Sequence, residues 1–243
     1  MKTQHDDLFA QARPSISGFV FNDQVAGVFA DMIKRSVPGY STLLTGIAAI
    51  AHQYAQPGTN CYDLGCSLGA STLAMGSAIP HSDCQIIAVD NSAAMIERCR
   101  DYLQQAELKL PTEIICADLL DVTIENASVA IMNLTLQFIP LNHRQTCINT
   151  IYEGLQPGGV LVLSEKIDFT DPRESELQQS IHHGFKQLHG YSALEISQKR
   201  TALDNVLIPE TLTIHQQRLA NAGFQFSTTW FQCFNFISII AIK

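Results

Sequence analysis

Four polar side chains stand at the ends of four short apolar runs. They are Asp63 in NCYDL, Asp90 in QIIAVD, Asp118 after EIICA and Asn133 closing VAIMN. A carboxylate offers two acceptor oxygens, enough for the paired hydroxyls of a ribose. A carboxylate at Asp118 can accept from an exocyclic adenine amine, and Asp63 can accept from another amine. Between the first run and the next one lies LGCSLGAST, with Gly65, Cys66, Ser67 and Gly69. Glycine lets the backbone approach a ligand, and a following helix presents free N–H groups. Ser67 stands where a middle glycine is often found. Each residue also has an ordinary reading. The loop could be a plain strand–helix turn, Asp90 a helix cap and Asp118 a solvated turn residue. Four such residues at four successive strand ends are harder to explain that way.

The elements that must position them follow a strand–helix rhythm. Strands are expected at Asn60–Leu64, Gln85–Val89, Glu113–Cys116, Val129–Leu134 and Val160–Ser164. Helices are expected at Ser71–Ala78, at Ala93–Gln105 capped by Asn91-Ser92, and at Leu141–Leu155. Pro157-Gly158-Gly159 reads as a turn, and Phe224–Ile240 as a closing antiparallel hairpin. The fold class is α/β: a doubly wound, mostly parallel, seven-stranded sheet with a C-terminal antiparallel hairpin. Residues 1–55 are an N-terminal arm, loose over 1–22, followed by cap helices from Asp23 and around Leu43–Ala51. Residues 56–243 form the ligand-binding domain. Within it, 165–210 is too long for a connection and reads as a helical insertion or lid.

In this frame the loop spacing G-x-x-x-G departs from the G-x-G-x-x-G that cradles a pyrophosphate. A nucleoside without phosphate fits better. S-adenosyl-L-methionine has a zwitterionic tail, a ribose and an adenine, and the order of motifs resembles a class I methyltransferase-like Rossmann fold.

Bulk composition narrows the alternatives. The chain has 243 residues and a formal net charge of −8, which disfavours a large nucleic-acid footprint. Seven cysteines, an odd count without a C-x-x-C pair, read as reduced small hydrophobes in a cytoplasmic protein. No metal site is expected. His182-His183 lacks a partner set and reads as polar surface, as does His215. Lys199-Arg200 reads, by residue type, as a solvated helix end, and Tyr40 as equally a packing or a ligand residue. No signal core or membrane-length apolar run occurs.

Longer stretches carry a closer likeness. VFADMIKRSVPGYS, YDLGCSLGASTLA, IIAVDNSAAMIERCR, NLTLQFI, SEKIDF, HHGFKQLHGYSALEISQKR and WFQCFNFISIIAIK together resemble the carboxy-S-adenosyl-L-methionine synthase family. The likeness runs from about residue 20 to the C-terminus. It implies conversion of S-adenosyl-L-methionine and prephenate to carboxy-S-adenosyl-L-methionine and phenylpyruvate. The product would co-purify and serve a partner tRNA carboxymethyltransferase that modifies the wobble uridine. It implies a homodimer, with Tyr40, Gly65, Cys66, Ser67, Asp90, Asn91, Asp118, Leu119 and Asn133 around the nucleoside. Leu119 alone departs in residue type, and a backbone contact is expected there. Arg200 matches the arginine that holds the new carboxylate. Prephenate can release carbon dioxide and hydroxide as its ring aromatises, and a sulfonium methyl is acidic. The protein's tasks are then orientation, exclusion of water and provision of a cation. Two other functions remain open on the residues: an ordinary methyltransferase of a small molecule or RNA, and a non-catalytic adenosyl-binding partner. The first lacks an N-P-P-Y-type motif, since Asn133 is followed by Leu134-Thr135-Leu136.

Overall fold

The computed structural model describes residues 4–243. Five parallel strands form its centre: β1 (Asn60–Leu64), β2 (Gln85–Asp90), β3 (Thr112–Cys116), β4 (Ala127–Asn133) and β5 (Leu155–Asp168). After a two-residue strand β6 (Glu210–Thr211) beside β5, the chain adds β7 (Phe226–Cys233) and β8 (Phe236–Ile242). The sheet order is β3-β2-β1-β4-β5-β8-β7, with β8 antiparallel to β5. The expected seven-stranded path and hairpin are both present, and β6 is an addition too short to read from sequence. The turn expected at Pro157-Gly158-Gly159 is instead an irregularity inside β5. Leu155 pairs with Ala127, and pairing resumes at Val160 opposite Val129.

Side chains alternate across these strands, so a strand covered on both faces reads as continuously apolar. In β4, Val129 and Ile131 point into a core with Leu43, Ile47 and Met75. Ala130 and Met132 point into the opposite core with Ile148, Ile151 and Leu219. Helices α2 (Tyr40–Tyr54) and α3 (Ala70–Ala78) thus cover one face, and α5 (Leu141–Gly154) and α8 (Leu212–Ala222) the other. Helix α4 (Ala93–Ala106) buries Ile96, Cys99 and Leu103 against Ala88. Strand order reverses between β1 and β4, and the crevice beyond their carboxyl ends is where ligands of such sheets bind.

The remaining elements roof that crevice. They are α1 (Asp23–Ser36), α6 (Pro172–Leu188) and α7 (Ala193–Leu203), so the span 165–210 holds the end of β5, two helices and β6. The arm is not loose over the described residues 4–22; residues 1–3 of that expectation lie outside them. Phe9 and Phe19 are buried, and Asp6 is 1% exposed. Asp6 accepts from the Tyr191 hydroxyl, and its carbonyl accepts from Arg35 Nη1 at 3.1 Å. Gln198 Nε2 donates to the carbonyls of Phe9 and Gln11, both at 2.9 Å. Polar composition hid this, because the arm is held by scattered long-range hydrogen bonds rather than by a periodic apolar face.

One buried cation organises the crevice floor. Arg144 is fully buried and pairs with Glu210. It also donates to the carbonyls of Ile139 at 2.9 Å, Gln137 at 3.0 Å and Ile208 at 2.9 Å. Removing it would leave three carbonyls without their donor and Glu210 with Arg218 as its remaining partner, at 2.7 Å. Arg144→Met is therefore expected to cost about 3 kcal/mol, mainly from the carbonyls left unsatisfied, read as a lower midpoint in urea unfolding with an unchanged slope.

Candidate functional site

A cavity of about 570 Å³ opens at the carboxyl ends of β1, β2 and β4 under the roof helices. Tyr40, Gly65, Cys66, Ser67, Asp90, Asn91, Asp118, Leu119, Asn133 and Arg200 all line it. These residues are spread over 160 positions of chain, and only the fold brings them to one space. Asp63 is the exception: it is 1% exposed and is not among the lining residues. Its Oδ2 accepts from Thr72 Oγ1 at 2.6 Å, at the start of α3. Burial raises its pKa to about 6. An amine acceptor was expected there; the side chain turns inward because its strand position faces α3, and it braces the loop from below.

The loop between β1 and α3 shows why its spacing works. Gly65 and Cys66 N–H both donate to Val89 O, at 2.8 and 2.9 Å. Gly65 has φ +84°, and a Cβ there would lie 2.3 Å from Thr135 Oγ1. Ser67 adopts φ +49°, the left-handed conformation a glycine would otherwise supply. Its N–H donates to Asp90 Oδ2 at 2.9 Å. Asp90 Oδ1 accepts from Ser92 N at 2.9 Å, so one carboxylate ties the loop to the start of α4. Each oxygen keeps a lone pair for a hydroxyl donor. Burial raises the Asp90 pKa from its ordinary value.

Asn133 is held by a bond from its Nδ2 to Ser71 Oγ at 3.1 Å, while its Oδ1 is buried without a partner. That orphaned acceptor suits a ligand amine, since a buried unpaired carbonyl is costly unless something donates to it. Leu134 follows at φ +64°, a strained value for a leucine, with its N–H donating to Ser164 O at 2.7 Å. Sequence reading took Leu134 as a strand end and missed this kink. Two backbone N–H groups just beyond, on Leu136 and Gln137, donate to Glu165 at 2.8 and 2.9 Å. Glu165 is fully buried, and burial raises its pKa to about 8.

The far wall is cationic. Lys166, His182, His183, Lys186, Lys199 and Arg200 line it. The polar-surface reading of His182 fails. His182 is buried, stacks edge-on against Phe236 at 5.0 Å and bonds through Nε2 to Ser36 O at 2.8 Å. His215 is also buried, beside Arg218 at 3.4 Å, and not on the surface. Lys199 is not solvated either. It donates to Ser36 Oγ at 3.1 Å and pairs with Asp6 at 3.5 Å, whereas Arg200 is exposed at the cavity rim. Among the described residues, no cluster of three or more His, Cys, Asp or Glu side chains could hold a metal, and no helix is long and apolar enough to cross a membrane.

The fold is that of class I methyltransferases, an α/β sheet that is mostly parallel with antiparallel C-terminal strands. A methyltransferase-domain family model matches residues 62–159. Solved relatives share the fold at low identity. A methyltransferase from Methanococcus maripaludis is 21% identical, covers 95% of this chain and 97% of its own, and superposes with TM-score 0.62. Magnesium protoporphyrin IX methyltransferase from Synechocystis is 15% identical, with 87% of each chain covered and TM-score 0.61. Sequence relatives are much nearer. Carboxy-S-adenosyl-L-methionine synthase of Trichlorobacter lovleyi is 55% identical, and that of Hahella chejuensis 51%, each over 100% of both chains. The chain belongs to the carboxy-S-adenosyl-L-methionine synthase family.

Two tests follow from this geometry. Gly65→Ala would meet Thr135 and force a left-handed alanine, a conformational cost of about 1–2 kcal/mol before any clash. Its melting temperature is expected to fall by several degrees, while Gly184→Ala, with no atom within 4 Å of the new Cβ, leaves it unchanged or higher. His182 has its pKa lowered to about 3 by burial, from an ordinary 6.5. The unfolded chain therefore binds one more proton between those values. This stability is complete above about pH 6.5 and is lost as the pH falls toward 3. His182→Gln should flatten the dependence of melting temperature on pH between 6 and 4.

Proposed function

We propose that this protein converts S-adenosyl-L-methionine and prephenate to carboxy-S-adenosyl-L-methionine and phenylpyruvate. The carrying observation is one cavity with two unlike walls. The nucleoside wall has the glycine loop, Asp90, Asp118 and the orphaned Asn133 acceptor, and the other wall has Arg200 and further cations. Relatives aligned over the whole chain at 51–55% identity are carboxy-S-adenosyl-L-methionine synthases, which supports the same reading.

The residues fit the adenosyl substrate. Tyr40, Gly65, Cys66, Ser67, Asp90, Asn91, Asp118, Leu119 and Asn133 would hold it, with Asp63 bracing the loop rather than touching it. When bound, it supplies a methyl carbon whose C–H bonds are acidified by the adjacent sulfonium. Asp90 accepts from ribose hydroxyls, and Asn133 Oδ1 from an amine. Tyr40 stays protonated, because burial and the nearby Asp63 carboxylate raise its pKa. Phe19, Phe21, Phe138 and Leu203 line the cavity and exclude water that would compete for a reactive carbon. Arg200 provides a guanidinium whose planar fork suits a carboxylate.

The assembly is read as a cytoplasmic homodimer whose product feeds a tRNA carboxymethyltransferase acting on the wobble uridine. An exposed stripe of Leu177, Ile181 and Leu188 on α6 supports a subunit contact. The net charge of −8 fits a small-molecule enzyme that hands on its product without gripping RNA itself.

The test is mass spectrometry of the purified protein with both substrates. The expected product is S-adenosyl-L-methionine heavier by one carbon dioxide, formed with equal phenylpyruvate. Arg200→Ala is expected to lose product by about 100-fold or more while retaining adenosyl binding, in line with a lost charge-assisted pair. Unchanged prephenate beside unmodified S-adenosyl-L-methionine would sink the assignment.

A further inference from the structure

Arg200 alone is enough for one carboxylate, yet the wall around it carries more charge than that. Lys166 sits at the end of β5, and Lys186 on α6 one turn beyond His183; all three line the cavity with Arg200. Lys199 is neutralised by Asp6 at 3.5 Å. Among the described residues neither Lys166 nor Lys186 forms an ion pair. The nearby Asp168 side chain is engaged by Phe169 N at 2.9 Å and Ser175 Oγ at 2.6 Å. Burial lowers the pKa of both lysines, helped by Arg200 beside Lys166 and by Lys166, Lys199 and Arg200 around Lys186, which falls to about 8. A fold that gathers unpaired ammonium groups of like charge in a half-enclosed space loses stability unless anions occupy it. Of the acidic residues lining the cavity, Asp90 and Asp118 stand at the ends of other strands and are bonded to backbone amides there, and Asp204, exposed after α7, forms an ion pair with neither lysine.

We propose that Lys166 and Lys186 form a second anion seat beside Arg200 that selects a dicarboxylate co-substrate and holds the carboxylate that is not transferred. The division of labour rests on the reaction proposed above. There, the ring carboxylate of prephenate becomes the new carboxylate under Arg200, and the carboxylate of its three-carbon keto-acid arm stays with the phenylpyruvate product. The two lysines hold that second group and fix the ring against the adenosyl methyl. They are positioning residues, and a compact ammonium suits a carboxylate that must leave with the product.

The experiment is steady-state kinetics and calorimetry on Lys166→Gln, Lys186→Gln and Lys186→Arg. Each glutamine variant is expected to raise the KM for prephenate by about tenfold or more. Affinity for S-adenosyl-L-methionine should change less than about twofold, a difference far below one lost charge-assisted bond. Lys186→Arg should recover most of the loss. An unchanged KM in both glutamine variants would overturn the proposal, as would a lysine-to-arginine variant that stays impaired while its melting temperature falls. Calorimetry with malonate against acetate separates the seat from the reaction. Tighter binding of malonate to the wild type, lost in the glutamine variants, supports the seat even where prephenate is not turned over. Equal binding of the two probes counts against it.

Discussion

The Asp90 carboxylate is the interaction on which the strand-end wall of the cavity depends. One oxygen takes the Ser67 amide and the other the Ser92 amide. The first bond holds the loop after β1 in its left-handed turn, and the second sets the first turn of α4. Val89 O secures the same loop by accepting from Gly65 and Cys66. Because β1 and β2 are in register from Asn60 with Gln85 to Leu64 with Val89, these bonds are short only if the sheet forms as it does. The backbone of the loop is consequently laid down before any ligand arrives, which reduces the ordering cost of binding.

The second wall is built differently. It is not a strand-end motif but a roof, supplied by α1, α6 and α7 and by the extension of β5. The N-terminal arm connects this roof together. Asp6 receives Tyr191 and Arg35 and neutralises Lys199, the residue before Arg200. Gln198, two residues before Arg200, takes the arm's carbonyls. The position of α7 over the cavity therefore relies on a segment more than 180 residues away in sequence.

Between the two walls lies a third constraint, the turn after β4. Asn133 contributes an unpaired acceptor, Leu134 bends the chain with a positive φ, and Glu165 receives the next amides. Arg144 secures the carbonyls of the same turn from beneath. Strain at Leu134 and burial of Glu165 both cost stability. They persist because the surrounding hydrogen bonds over-determine the turn, as expected where a backbone must be aimed at a ligand.

Much of this was legible in the chain. The strand–helix rhythm, the glycine loop and the polar residues at strand ends are local signals, and periodicity with turn chemistry suffices to place them. The family likeness singled out Arg200 from residues that composition treats alike. What sequence could not settle was direction and partnership. Asp63 turns inward to Thr72, His182 and His215 are buried rather than exposed, and the polar arm is packed. The cationic wall was invisible for the same reason. Lys166, Lys186 and Arg200 belong to three elements with no common spacing, and whether a lysine has a counter-ion is decided by long-range packing. Sequence by itself determined the fold class and which strand-end residues gather at one wall of the cavity, because strands and their turns encode those locally. Tertiary structure alone decided which charges meet, which stay unpaired and hence what the second wall can hold.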